Sequence, residues 1–274
     1  MKIKCPVCMH RCELQEGQTG ICRARKRKNG RIISSSYGRI TGLGLDPIEK
    51  KPLNRFFPGS DILSVGSFGC NLQCPFCQNY EISMCGEEIQ TREMMPEDLV
   101  KMAVSLKSRG NIGVAFTYNE PLIGYEYVRD TAELIHRADM KNVVVTNGCI
   151  ELKILEELLP HLDALNIDLK GFTDTYYKKL GGDLETVKRF IKRAETCCHI
   201  ELTTLIIPGE NDSEEEMKQL ASWVNSVNPL IPLHVTRFFP RFRMTDRAAT
   251  ELERVYALAD TAGKYLDYVY TGNC

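Results

Sequence analysis

No apolar run in the sequence approaches the roughly 20 residues that a membrane-spanning helix needs. The start, Met1-Lys2-Ile3-Lys4-Cys5, also lacks the apolar centre of a secretory signal, so a cytoplasmic protein without membrane contact is expected. Net charge is equally scarce. The 35 Lys and Arg residues stand against 36 Asp and Glu, which leaves no overall field for nucleic acid, and any macromolecular partner must be recognised locally. Low-complexity stretches are missing too, and 43% hydrophobic with 26% charged residues excludes a disordered or fibrous chain. A length of 274 residues suits one large domain, with or without a small appendage.

Cysteine, by contrast, is abundant. Twelve are many for a reducing compartment, where clustered thiols are metal ligands more often than disulfides. Cys5, Cys8, Cys12 and Cys22 form one group and Cys70, Cys74 and Cys77 another, while Cys85, Cys149, Cys197, Cys198 and Cys274 are scattered and read as small buried or incidental residues.

Residues 1–60 lack helical periodicity and carry turn signals at Gly17, Gly20, Asn29-Gly30, Asp46-Pro47 and Pro58-Gly59, which predicts a small β-rich, cysteine-rich appendage. Asn29-Gly30 reads as a hairpin tip inside a basic cluster, Arg23 to Arg31, either a solvated face or a dock for an acidic partner. From residue 61 to 274, short apolar runs alternate with amphipathic segments. Strands are expected at 62–67, 113–117, 142–146, 164–168, 200–207 and 233–238, with helices between them. Pro96 opens one helix and Gly110 follows it; Ser213 and Glu216 suggest a capping box for another. Parallel neighbours need crossovers of this length, so the fold class is α/β, an incomplete parallel (β/α)6 TIM-type barrel. Ligands then belong at the carboxyl ends of the strands.

The first of those strands runs into Gly69-Cys70-Asn71-Leu72-Gln73-Cys74-Pro75-Phe76-Cys77. Three thiolates on a short loop suit three corners of a [4Fe-4S] cube, and with seven residues separating Cys77 from Cys85 one iron is left open. A closed zinc site would need a fourth ligand. Other strand ends carry Thr117-Tyr118-Asn119-Glu120-Pro121, Val145-Thr146-Asn147-Gly148 and Asp168-Leu169-Lys170. Glu120 could accept charge-assisted hydrogen bonds from an ammonium group, or simply open the next helix.

The CxxxCxxC loop resembles that of the radical S-adenosylmethionine superfamily. The resemblance extends over Cys5-x₂-Cys8-x₃-Cys12-x₉-Cys22, Asp46 to Leu53, Gly69 to Ser83, Tyr118 to Pro121, Asp168 to Gly171 and Thr203 to Ser213, and is nearest to the radical enzymes of the AmmeMemoRadiSam system, relatives of pyruvate formate-lyase activating enzyme. It implies that a cluster on Cys70, Cys74 and Cys77 binds S-adenosylmethionine and cleaves it reductively to a radical that abstracts hydrogen. It further implies that Phe76 lies near the adenine, that Glu120 holds the methionine amino group, that Thr146 and Asn147 line the site, that Asp168 orders its floor, and that Lys170 approaches the carboxylate. Tyr118-Asn119 departs from the family's Gly-Gly, and Phe239 stands where a histidine is expected before the proline of the last motif, so His234 reads as a strand residue.

Cys5, Cys8, Cys12 and Cys22 remain open between structural zinc and an auxiliary iron–sulfur cluster, with His10 near enough to substitute. The expected partners are a low-potential electron donor such as flavodoxin or ferredoxin and a protein or peptide substrate, docked on the basic cluster and on the loop 50–55. A glycyl-radical-enzyme activase and a non-enzymatic iron–sulfur electron carrier are the alternatives.

Overall fold

The computed structural model describes residues 1–274. Its main sheet has eight strands: β1 (Gly42–Pro47), β2 (Asp61–Gly66), β3 (Asn111–Phe116), β4 (Lys141–Thr146), β5 (Ala164–Asp168), β6 (His199–Ile206), β7 (Leu233–Arg237) and β8 (Val269–Gly272). Spatial order follows chain order throughout, and only β1 runs antiparallel to its neighbour. A sheet that winds in one direction without reversal is barrel topology rather than doubly wound topology. Because β1 and β8 do not pair, the barrel is incomplete.

The six strands legible in the sequence are all present, within two residues at each end. Two more join them. Val269-Tyr270-Thr271-Gly272 supplies a seventh parallel strand too short and polar to stand out, and the glycines of Gly42-Leu-Gly-Leu-Asp-Pro47 mask the antiparallel one. Residue 60 therefore falls after the first barrel strand has already passed. The amino-terminal segment also shares the barrel's core, since Cys5, Val7, Cys8, Cys22, Ala24 and Ile40 belong to the same apolar cluster as Leu63, Phe68 and Leu72.

Helices α1 (Pro96–Ser105), α2 (Tyr125–Arg137), α3 (Leu152–Leu158), α4 (Leu184–Glu195), α5 (Glu214–Val227) and α6 (Leu252–Gly263) cover the outer face. Pro96 starts α1, and Gly110, at φ 86°, ends the short 3-10 turn that follows it. Half of the expected capping box forms at α5. Ser213 Oγ accepts from Glu216 N, but the Glu216 carboxylate turns away and accepts from Phe172 N at 2.6 Å, joining the β5 loop to α5. Asn29 (φ 52°) and Gly30 (φ 73°) make the tip of a hairpin, Arg25–Lys28 with Arg31–Ser34, as a two-residue turn of this hand requires.

Strand alternation sets the inner wall. Leu63 and Val65 face the helices, whereas Ile62, Ser64 and Gly66 face inward with their cross-strand partners Asp46, Gly44 and Gly42. The chain between β1 and β2 closes the amino end of the barrel: Ile48, Leu53 and Phe56 pack on Ile62, Ala115, Val143 and Ala164. Glu201, fully buried near the start of β6, fastens this plug. Its carboxylate accepts from the backbone amides of Asn54 (3.0 Å) and Arg55 (2.8 Å), and from His199 (2.9 Å) and His234 (2.7 Å). His234 is thus a buried strand residue, as read. Of the loop 50–55, expected at the substrate rim, Leu53 and the amides of Asn54 and Arg55 instead close the opposite end, while Lys51 turns inward to Asp46.

Hydrogen bonds hold the Glu201 carboxyl down at about 2 despite burial. A carboxyl lower in the folded than in the unfolded chain contributes stability above the usual carboxylate range and loses it as pH falls toward 2. Glu201→Ala leaves two backbone amides and two imidazoles without their acceptor, and is expected to cost about 3 kcal/mol at pH 7 in urea unfolding. The deficit should shrink as the comparison is repeated at lower pH.

Candidate active site

The cluster loop leaves β2 through Gly69, at φ 84°, where a Cβ would lie 2.4 Å from the Cys22 carbonyl oxygen. Only glycine permits the appendage to press this closely on the loop. Three asparagines then fix the backbone. Asn119 accepts from Ser67 N at 3.0 Å and donates to the carbonyls of Phe68 (3.1 Å) and Gly69 (3.0 Å). Asn71 donates to Cys149 O at 2.9 Å and accepts from Asn147 Nδ2 at 2.8 Å, while Asn147 Nδ2 also lies 3.7 Å from Cys70 Sγ. His10 Nε2 donates to Asn71 O at 2.8 Å, so its ring braces the loop.

Cys70, Cys74 and Cys77 all lie on this loop as free thiols, but their side chains are not gathered into a metal-holding group, nor are any other three His, Cys, Asp or Glu side chains of the chain. Burial pushes the Cys70 thiol well up and the Cys74 thiol to about 11, with the Lys170 ammonium opposing the shift at Cys74. The donor set, three soft thiols from one loop with a glycine entry and no fourth cysteine beside it, fits an iron–sulfur cube with one open iron. Phe76 is buried against the core.

Glu120, 2% exposed, sits between two strand ends. One carboxylate oxygen accepts from Leu122 N (3.0 Å) and Thr146 Oγ1 (2.8 Å), and the other from Asn147 N (2.7 Å). Burial pushes its carboxyl up to about 7 against these bonds, a carboxylate that gains from a bound cation. The helix-opening reading of Glu120 is met, since the same side chain caps the turn Pro121–Gly124. Thr146 and Asn147 act by orienting Glu120. Asp168 and Lys170 pair at 2.7 Å. Lys170 O accepts from Asn211, which is 3% exposed and also bonds Leu205 O, and Lys170 N donates to the buried Tyr177 hydroxyl at 3.1 Å.

Asn71, Asn119, Asn211 and Tyr177 escaped the sequence reading. Their only signal was position inside or beside motifs whose other members carry the evident chemistry. The segment after β7 adds a cover: Phe242 stacks on Tyr80 at 4.5 Å and Arg243 N donates to Pro75 O at 2.9 Å. Phe239 is exposed and lies against Arg237.

Much of the basic cluster is engaged internally. Arg25 is 3% exposed and makes a bidentate pair with Glu126 at 2.8 Å, Lys26 pairs with Glu87, and Arg27 pairs with Glu16. The solvated-face reading fails for the buried Arg25, whereas Lys26 and Arg27 pair at the surface and Lys28 and Arg31 stay exposed.

Residues 64–221 match the family described as Radical SAM superfamily. An uncharacterised protein of Methanocaldococcus jannaschii is 37% identical over 99% of this chain and 81% of its own. The pyruvate formate-lyase-activating enzyme of Clostridium pasteurianum is 27% identical over 61% of this chain and 72% of its own. Among solved structures, a domain of a pyruvate-formate lyase-activating enzyme from Bacteroides vulgatus superposes with a TM-score of 0.51 at 21% identity, covering 59% of this chain and 99% of that one.

Glu120 braces the site even without a ligand. Glu120→Gln turns a donor toward an amide or hydroxyl that was donating, and is expected to lower the urea stability of the metal-free protein by about 2 kcal/mol. An unchanged unfolding curve would show that the carboxylate carries no structural role.

Proposed function

Because the chain belongs to the radical S-adenosylmethionine superfamily, whose enzymes use a [4Fe-4S] cluster and S-adenosylmethionine, we propose that it abstracts hydrogen from a protein or peptide segment. The observation that carries this reading is the single hydrogen-bonded path from Glu120 through Asn147 and Asn71 to the cluster loop. It links the acid suited to the methionine amino group with the loop suited to the cluster.

In this reading Cys70, Cys74 and Cys77 hold the cluster, Glu120 takes the methionine ammonium, Lys170 faces the carboxylate with Asp168 fixing its ammonium, and Phe76 contributes to the adenine side. When bound, the cluster supplies the electron that splits the sulfonium and gives a 5′-deoxyadenosyl radical. The chain's own residues orient the sulfonium and exclude water. Support for a macromolecular substrate comes from the site itself. Glu120, Asp168, Lys170 and Asn211 are already engaged, leaving few polar groups at the strand ends to read a small polar molecule. The activating-enzyme relatives favour the same direction, and a glycyl-radical-enzyme activase is its narrower form. A flavodoxin- or ferredoxin-type donor would deliver the electron.

Anaerobic reconstitution should give a visible cluster absorption in the wild type and in Cys85→Ala, and none from this loop in the Cys70, Cys74 and Cys77 triple Ala variant. The reduced enzyme with S-adenosylmethionine should then draw deuterium into 5′-deoxyadenosine from deuterated cell protein. Deuterium arriving only from the small-molecule fraction rejects the substrate reading, and cluster absorption surviving the triple substitution rejects the ligand set.

We also propose that Cys5, Cys8, Cys12 and Cys22 hold one metal, zinc or an auxiliary cluster. Burial, and after it the neighbouring thiols of Cys22, Cys5 and Cys12, pushes Cys8 up to about 12, and burial likewise raises Cys22, which supports a common environment for the four. Metal binding would supply folding free energy to a segment whose strands span only two to four residues. The quadruple Ala variant should lose about one equivalent of metal and melt lower; unchanged zinc and iron content overturns the assignment.

A further inference from the structure

The motif Asp46 to Leu53 has no part in the site described so far, yet it brings two charged side chains to the inner wall. Lys51 Nζ donates to Asp46 Oδ2 at 2.7 Å, and the Tyr118 hydroxyl donates to the same oxygen at 3.0 Å. Tyr118 belongs to the Glu120 loop and takes φ 72°. Its ring fills a slot made by three glycines: a Cβ on Gly66 would lie 2.7 Å from Tyr118 Cδ2, and Gly42 and Gly44 leave room at 3.8 and 3.3 Å. Its carbonyl oxygen accepts from Asn79 at 2.8 Å, which ties the ring's position to the cluster loop. Tyrosine at a position where the family has glycine is therefore accommodated by glycine on the facing strands.

Several polar groups of this constellation have unused hydrogen-bonding capacity. Ser64 Oγ is fully buried beside Asp46 and Tyr118 without a well-formed hydrogen bond to either. Lys51, with 4% of its side chain exposed, uses one of three donors, and the Lys51 and Tyr118 bonds to Asp46 both fall on Oδ2. Buried polar groups are normally satisfied, and a purely structural ion pair can be replaced by apolar packing without loss. Access exists on one side, since 21% of the Asp46 side chain is exposed.

We propose that Asp46, Lys51, Ser64 and Tyr118 form a subsite for an amide group of the substrate, with Lys51 donating to its carbonyl oxygen and Asp46 accepting from its N–H. Charge selects the ligand class. Asp46 and Lys51 already balance each other, so a net charge on the ligand would be buried uncompensated, whereas a neutral group with an acceptor beside a donor matches the free lone pair and free protons. The placement deepens the peptide-substrate reading and rests on it for the source of the amide. Tyr118, two residues before Glu120, fixes how far the amide stands from the S-adenosylmethionine side of the barrel.

The test uses reconstituted enzyme with S-adenosylmethionine and two small probes, N-methylacetamide and its isostere methyl acetate, which lacks the N–H. By saturation-transfer NMR the amide should bind at least about tenfold more tightly than the ester. Lys51→Met and Asp46→Asn should weaken the amide by a similar factor, and Lys51→Arg should retain part of it. Melting temperatures identify a variant lost to misfolding, and the wild-type comparison of amide with ester decides the matter even then. Equal binding of the two probes, or no binding of the amide, overturns the subsite. Deuterated cell protein separates this from the broader reading. Amide-selective binding without deuterium transfer from protein leaves a free small amide as the ligand and removes the peptide; transfer from protein without amide selectivity keeps the peptide and removes the subsite.

Discussion

Everything near the strand ends depends on one carboxylate that three donors hold away from water. Glu120 bonds Thr146 and Asn147 at the end of β4 while its own backbone belongs to the loop after β3. Asn147 in turn reaches Asn71, and Asn71 reaches back to Cys149 O. Two strand ends and the cysteine loop therefore move as one body. In a low-dielectric interior such a network is strong only when every member is satisfied. Burial pushes the Glu120 carboxyl up to about 7, so it is only partly ionised at neutral pH although three donors face it.

The opposite end of the barrel is closed by different means. An incomplete barrel has two unpaired edges and an open foot, and Ile48, Leu53 and Phe56 cover the foot with side chains from the β1–β2 connection. Glu201 replaces the hydrogen bonds that this connection, lacking strand partners, would otherwise leave unmade. The same connection passes Lys51 inward to Asp46. Foot closure and the polar inner wall are thus products of one short segment, which explains why a charged stretch such as Glu49-Lys50-Lys51 occurs in a piece of chain that is otherwise a plug.

How much of this the sequence showed follows from how each feature is encoded. Strands that alternate with amphipathic helices were legible, because apolar runs such as Ile62 to Val65 and Val143 to Val145 announce burial on both faces. The cysteine spacing was legible because cluster ligation requires it. Long-range pairing was not. Nothing in Arg25 announced Glu126, 101 residues away, so a residue that looked like part of a basic surface is a buried ion pair. Loop 50–55 misled for a related reason: its charges suggested a rim, while Leu53 and the Glu201 carboxylate, 146 residues from Arg55, determined its place.

The amino-terminal segment is better understood as part of the site than as an attachment to it. Gly69 has no Cβ because the Cys22 carbonyl occupies that space, and His10 bonds the backbone between the first two cluster cysteines. Glu151 N donates to Val7 O, and Arg11 pairs with Glu151 at 2.9 Å, so the segment also grips the start of α3 beyond the Thr146-Asn147 strand end. Its contacts fall on the two elements that Glu120 and Asn71 join. Whatever sets the shape of the Cys5–Cys22 knuckle therefore sets the position of the cluster loop as well. Its buried side chains, Cys5, Val7, Cys8, Cys22 and Ala24, belong to the barrel's own core, so one packing fixes the segment and the loop together.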